Sequence, residues 1–178
     1  GNYVWAATMK GVVRWNRNDG TYKTFTTADG LADNKVWSVT IDQVGNKWFG
    51  TQTGGVSRFN GSTWTTFTAV NGLPDNFVTT ISVHPNGTLY FGTASGVVKF
   101  NGSSFSNLPI GGPFSDRISA IAFDKSQNIW VGTYDSGTWK LSGSTWTLYG
   151  DPATGPGGSV RDIQVAPNGD IWFAFDVS

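Results

Sequence analysis

The chain has 178 residues, enough to bury a core within one domain. Its 12 basic residues balance 12 acidic ones, all Asp, and the charges are scattered, so neither a nucleic-acid footprint nor a polybasic membrane patch is present. The absence of Cys excludes disulfides, thiol catalysis and Cys-ligated zinc, and no apolar stretch is long enough to span a bilayer.

With 24 Gly, 15% aromatic residues, many Thr and Ser and no Glu, the composition lacks the usual helix formers and is rich in residues suited to pleated, half-buried surfaces. An all-β fold is expected. The first residues, GNYVWAAT, have neither the basic start nor the apolar run of a signal peptide, so for an exported protein this would be a processed or excised form. Tyr3 to Thr8 reads as a strand, followed by GVVRWN from Gly11 and TYKTFT from Thr21.

From Val36 the chain repeats itself. VWSVTIDQVGNKWFGTQTGGVSRFNGSTWTTFT recurs from Val78, again from Ile118, and from Val160 as a half copy, VRDIQVAPNGDIWFAFDVS. Residues 11–26 match the half that this last copy lacks. Each full copy holds four short apolar or alternating runs, A to D, separated by Gly, Asn, Asp or Ser, the pattern of four antiparallel strands joined by tight turns. About four repeats of about 42 residues with four strands each predict the blades of a β-propeller, a single domain over 1–178 with its fourth blade completed by residues 11–26.

Most aromatic residues obey the repeat. Trp5, Trp48, Tyr90, Trp130 and Trp172 share a site on strand B; Trp15, Phe59 and Phe100 share one on C; Tyr22, Trp64, Phe105 and Trp146 share one on D. A residue recurring once per blade is expected to pack between blades. Trp37 and Trp139 break the register and carry more functional information.

The segments GLADNKVWSVTIDQVGNKWFGTQTGGVSRF, from Gly30 to Phe59, and GLPDNFVTTISVHPNGTLYFGTASGVVKF, from Gly72 to Phe100, resemble the two-component regulator propeller family. The two C-terminal copies depart from its pattern, with PFSDRI and PGGSVRDI in place of Gly-Leu-Pro, and Gln127 where Gly45 and Gly87 stand. The resemblance implies a bacterial, extracytoplasmic (periplasmic or secreted), sensor-type propeller that binds a ligand and is not an enzyme. Relatives usually form larger rings. A structural unit of a larger ring, surface protein or appendage is the alternative, and a propeller lyase or hydrolase a lesser one.

Strand B occurs five times, whereas A, C and D occur four times each, which leaves Tyr3 to Thr8 surplus. A four-bladed monomer with a displaced strand, two chains in an eight-bladed ring, and a piece of a longer propeller all fit this count. Open sheet edges favour association, so self-association through the terminal strands is expected.

No catalytic set is evident. His84, the one His, stands where other copies have Asp42, Asp124 and Ala166, and reads as a turn residue. Asp33, Asp75 and Asp116 recur in the D to A connection, where a short carboxylate can bind turn backbone. DGLADN and NGLPDN offer oxygen ligands but lack EF-hand spacing, so no metal and no cofactor is expected. The Asn-Gly-Ser and Asn-Gly-Thr triplets at Asn60, Asn86 and Asn101 fit hairpin turns.

In a propeller, strand A lines the central channel, and the D to A and B to C connections share one face. Residues that differ between copies on a constant frame are the better ligand candidates. These are Trp37, Phe77, Arg117 and Arg161 at the start of strand A, and Lys10, Gln52, Tyr134 and Asp135 in the B to C turns. Aromatic, Arg and amide groups meeting at one opening suit a small molecule, a glycan or a protein end.

Overall fold

A computed structural model describes residues 2–109, 111–112, 116–149 and 159–176. The departures in the last two D to A connections lie largely outside these residues. The described chain is organised as five antiparallel sheets in sequence order. Sheet I holds β1 (Tyr3–Thr8), β2 (Gly11–Asn16) and β3 (Tyr22–Phe25). Sheet II holds β4 (Val36–Ile41), β5 (Lys47–Thr51), β6 (Val56–Phe59) and β7 (Trp64–Phe67). Sheet III holds β8 (Val78–Val83), β9 (Leu89–Thr93), β10 (Gly96–Phe100) and β11 (Phe105–Asn107). Sheet IV holds β12 (Ile118–Phe123), β13 (Ile129–Thr133), β14 (Thr138–Ser142) and β15 (Thr145–Tyr149). Sheet V holds β16 (Val160–Val165) and β17 (Ile171–Phe175).

Sheets II to IV are therefore the complete A to D meanders read from the sequence. The ends differ from the expectation. β2 pairs with β1 along its whole length, from Tyr3 opposite Asn16 to Thr8 opposite Gly11, and with β3 on its other side. β17 pairs only with β16 among the described residues. Among the described residues the edge of β2 expected for the C-terminal copy is taken by the surplus strand B, β1.

The tight turns follow from local chemistry. The Thr that ends β1, β5, β9 and β13 donates its hydroxyl hydrogen across the B to C turn to Gly11, Gly55, Gly96 or Gly137, each at 2.8 Å. Asn60 and Asn101 accept two backbone N–H groups each with their side-chain oxygens, closing the C to D turns. In the D to A connections, a one-turn 3-10 segment ends at Gly30 and Gly72, whose φ of 109° and 112° only Gly adopts readily. Leu31 and Leu73 then turn into the packing between sheets.

The core lies between neighbouring sheets. Trp48 and Val56 of sheet II bury themselves against Ile81, Phe91, Val98 and Phe100 of sheet III. Tyr90 and Val97 of sheet III do the same against Ile121, Val131 and Leu141 of sheet IV, and Trp130 meets Val160 and Ile163 of sheet V. Successive A strands, β4, β8, β12 and β16, run side by side at the inner edge. The approach there is close enough to require Gly in strand B: a Cβ on Gly50, Gly92 or Gly132 would come within 2.8, 2.6 or 2.5 Å of Val78, Ile118 or Val160 of the following sheet. Ala7 takes this position in β1, whose sheet has no A strand of its own, and Ala174 takes it in β17, where it is exposed.

Candidate functional site

Two regular features of the frame bring side chains together at one end of the A strands. The first is a bulge. Each A strand loses register with strand B after its first residue, between Val36 and Ser38, Val78 and Thr80, Ile118 and Ala120, and Val160 and Asp162. The extra residue is Trp37, Thr79, Ser119 or Arg161, and a bulge re-aims such a side chain out of the pleat.

The second is a backbone clasp. The N–H of the residue after strand B donates to the carbonyl of the residue before strand A: Gln52 to Lys35, Ala94 to Phe77, Tyr134 to Arg117 and Asp176 to Ser159. Tyr134 is thereby held beside Arg117 and Asp176 beside the start of β16.

The product is a connected cation and ring cluster spanning sheets II to V. The Trp37 and Phe77 rings meet edge to face with centroids 5.3 Å apart. The Arg117 guanidinium lies 4.1 Å from the Tyr134 ring centroid, 4.7 Å from that of Phe77 and 5.6 Å from that of Trp37. Arg161 sits 4.9 Å from the Tyr134 ring and donates to its hydroxyl at 2.9 Å. It also pairs with Asp176 through both Nε and Nη2. That pairing raises the pKa of Arg161 and lowers that of Asp176, each through the charge-assisted hydrogen bond.

Five of the eight sequence candidates, Trp37, Phe77, Arg117, Tyr134 and Arg161, therefore form one cluster. Among the described residues, Lys10, Gln52 and Asp135 make no side-chain hydrogen bond, ion pair or ring contact with it: Lys10 and Asp135 are exposed on their turns, and Gln52 is held through its backbone. Asp176 was missed, although it holds the same repeat position as Gln52 and Tyr134. The signal was available, since the residue after strand B is a single equivalent site in every copy. Trp139, the other register-breaking Trp, donates its indole hydrogen to the Ser136 carbonyl and packs with the core between sheets III and IV.

The remaining candidates are absorbed by the frame. His84 is buried, accepts the Asn86 N–H at Nδ1 and stands edge-on to Phe123 with centroids 4.7 Å apart. In copies II and IV the same turn uses Asp42 or Asp124 to accept from Asn46 or Asn128 and from the indole of Trp48 or Trp130. Burial pushes the pKa of both carboxyls up, but these hydrogen bonds outweigh it and both sit below their ordinary value. Asp33 accepts from Lys35 and Thr53, and Asp75 from Phe77 and Ser95, as a structural role requires.

Residues 72–95 and 112–135 match the sequence pattern of the two-component regulator propeller family. No curated protein matches the chain. Among solved structures, the extracellular domain of the hybrid two-component system BT3049 from B. thetaiotaomicron aligns with a TM-score of 0.85 at 25% identity, covering 97% of this chain and 25% of that one. The extracellular domain of the one-component system BT4673 from the same organism aligns with a TM-score of 0.85 at 15% identity, over 98% of this chain and 25% of that one. Virginiamycin B lyase from Staphylococcus aureus aligns with a TM-score of 0.68 at 20% identity, over 98% of this chain and 63% of that one. The fold is that of β-propeller sheets, and the chain spans about a quarter of the length of these two extracellular domains.

Proposed function

From a chain that carries two-component regulator propeller repeats, we propose an extracytoplasmic, non-catalytic, sensor-type propeller segment that binds its ligand at the mouth of the channel through Trp37, Phe77, Arg117, Tyr134 and Arg161. The carrying observation is the convergence of these five residues. They come from four different sheets or the connections leading into them and from three repeat positions, the bulge, the residue before strand A and the residue after strand B, and the frame needs none of them at those positions. Thr79 and Ser119 occupy the same bulge site as Trp37 and Arg161, so a small side chain satisfies the fold there.

A rigid mouth of rings and guanidinia offers contact area and hydrogen-bond donors without ordering cost on binding. The test is a thermal-shift screen of soluble glycans, amino acids and organic acids, followed by calorimetry on each hit. Binding that is lost in Trp37→Ala and Arg161→Ala proteins of unchanged far-UV spectrum is the expected result. A hit whose affinity is the same in both variants would place binding elsewhere and overturn the assignment.

A second reading, assembly, is favoured by the outer faces of sheets I and V. Trp15, Tyr22 and Val4 are exposed on sheet I at positions whose counterparts in sheets II and III are buried or half-buried. Trp172 is exposed on sheet V. Such faces fit a further sheet of the same repeat. Sedimentation velocity over a range of concentrations checks this: self-association weakened by Trp15→Asp or Trp172→Asp supports it, and a monomer at all concentrations opposes it.

A further inference from the structure

Resting on the mouth as the binding face, we propose that Arg117 takes an oxyanion of the ligand, a carboxylate, sulfate or phosphate borne on a ring that packs against Trp37. The two arginines of the cluster differ in how their charge is met. Arg161 is neutralised by Asp176. Arg117 has no ion-pair partner among the described residues; Asp116 and Asp135, which adjoin Arg117 and Tyr134 in the chain, form none with it. Its Nε is closed off from solvent without a hydrogen-bond acceptor.

Three rings surround this guanidinium. Rings offset part of the charge but accept no strong hydrogen bond, and a guanidinium carries five N–H donors in one plane. A half-buried cation with unmet donors is costly, and an oxyanion at the open edge of the plane would satisfy donors and charge together. The repeat shows that the fold does not ask for a cation here, because Phe77 and Ser159 hold the same position in other copies.

Two further features define what carries the anion. Trp37 keeps 41% of its surface exposed while its ring is braced by Phe77, which leaves a flat apolar platform next to the guanidinium. The Tyr134 hydroxyl, whose oxygen accepts from Arg161, adds an O–H donor at the far side of the cluster. A ring presenting one apolar face, one oxyanion and one oxygen acceptor matches this order of groups.

The experiment titrates the chain with D-glucuronate, glucose 6-sulfate, glucose 6-phosphate and glucose, read by calorimetry and by indole fluorescence, which Trp37 contributes to. At least one anion is expected to bind at least tenfold tighter than glucose, with the preferred anion telling carboxylate from sulfate or phosphate. Arg117→Gln should remove that preference, Arg117→Lys should keep part of it, and added salt should weaken it. Matched unfolding curves establish that each variant folds. Equal binding of glucose and all three anions, an anion preference indifferent to Arg117→Gln, or no binding of any probe would overturn the inference. Glucose binding that is lost in Trp37→Ala but not in Arg117→Gln would overturn the anion site while leaving the mouth as the binding face; binding indifferent to both variants would overturn both.

Discussion

Trp48 and Trp172 hold the same site on strand B, yet Trp48 is 2% exposed and Trp172 is 67% exposed. Trp48 stacks on Phe67 of its own sheet, meets Phe91 and Phe100 of the next, and donates its indole hydrogen to Asp42. At Trp172 the equivalent of Asp42 is Ala166, and among the described residues neither a following sheet nor a second half of its own sheet covers the ring. The comparison shows that a repeat residue has a role only through its neighbour. One copy's side chain becomes core when the next copy is laid over it, which is why such units gain stability by stacking.

The largest effect that would break this comparison is truncation of the two Trp residues. Trp48→Ala is expected to cost about 3–5 kcal/mol, whereas Trp172→Ala should fall within about 0.5 kcal/mol of the parent, both measured by urea unfolding. Similar losses at the two sites would show that sheet V is covered in solution. Next is the Gly and Ala pair. Gly92→Ala places a Cβ 2.6 Å from Ile118 and Thr80 and should destabilise by about 1–3 kcal/mol, while Ala174→Gly, on an open face, should cost less than about 1 kcal/mol.

A smaller effect concerns the turn that orients Trp48. Asp42→Ala removes the acceptor for the Trp48 indole and for Asn46, and should cost about 1–3 kcal/mol in a thermal or urea melt; the corresponding Ala166→Asp change should gain little. The same carboxylates set the pH response. Asp42 and Asp124 have folded pKa values below their ordinary ones, so their contribution is fully present above the ordinary carboxylate range and is lost as pH falls through the depressed values. Stability should therefore drop below about pH 4, less so in the Asp42→Asn protein, whose turn no longer titrates there.

The mouth offers a parallel contrast. Thr79 and Ser119 are small at the bulge where Trp37 and Arg161 are large, so the bulge is a property of the strand and the cluster a property of particular copies. This is why comparing copies picks out residues that meet in the cluster together with Lys10, Gln52 and Asp135, which do not join it. Divergence between copies marks a position released from the frame; it does not say which way a side chain points. The clasp from the end of strand B to the start of strand A supplied that direction for Tyr134 and Asp176.

Strand type, sheet order, turn chemistry and the identity of the packing faces were all written locally, because alternation of apolar residues and fixed Gly, Asn and Thr positions act within one copy of the repeat. How the ends are made was not. β1 and β17 are both B strands of the same local pattern, and either satisfies the strand C edge of β2, so which one takes it is decided by backbone pairing outside the repeat unit; β1 takes it here. The meeting of Trp37, Phe77, Arg117, Tyr134 and Arg161 likewise needed the inner strands to stack, since residues as far apart in the chain as Trp37 and Arg117 come within reach only when successive sheets bury their faces against one another.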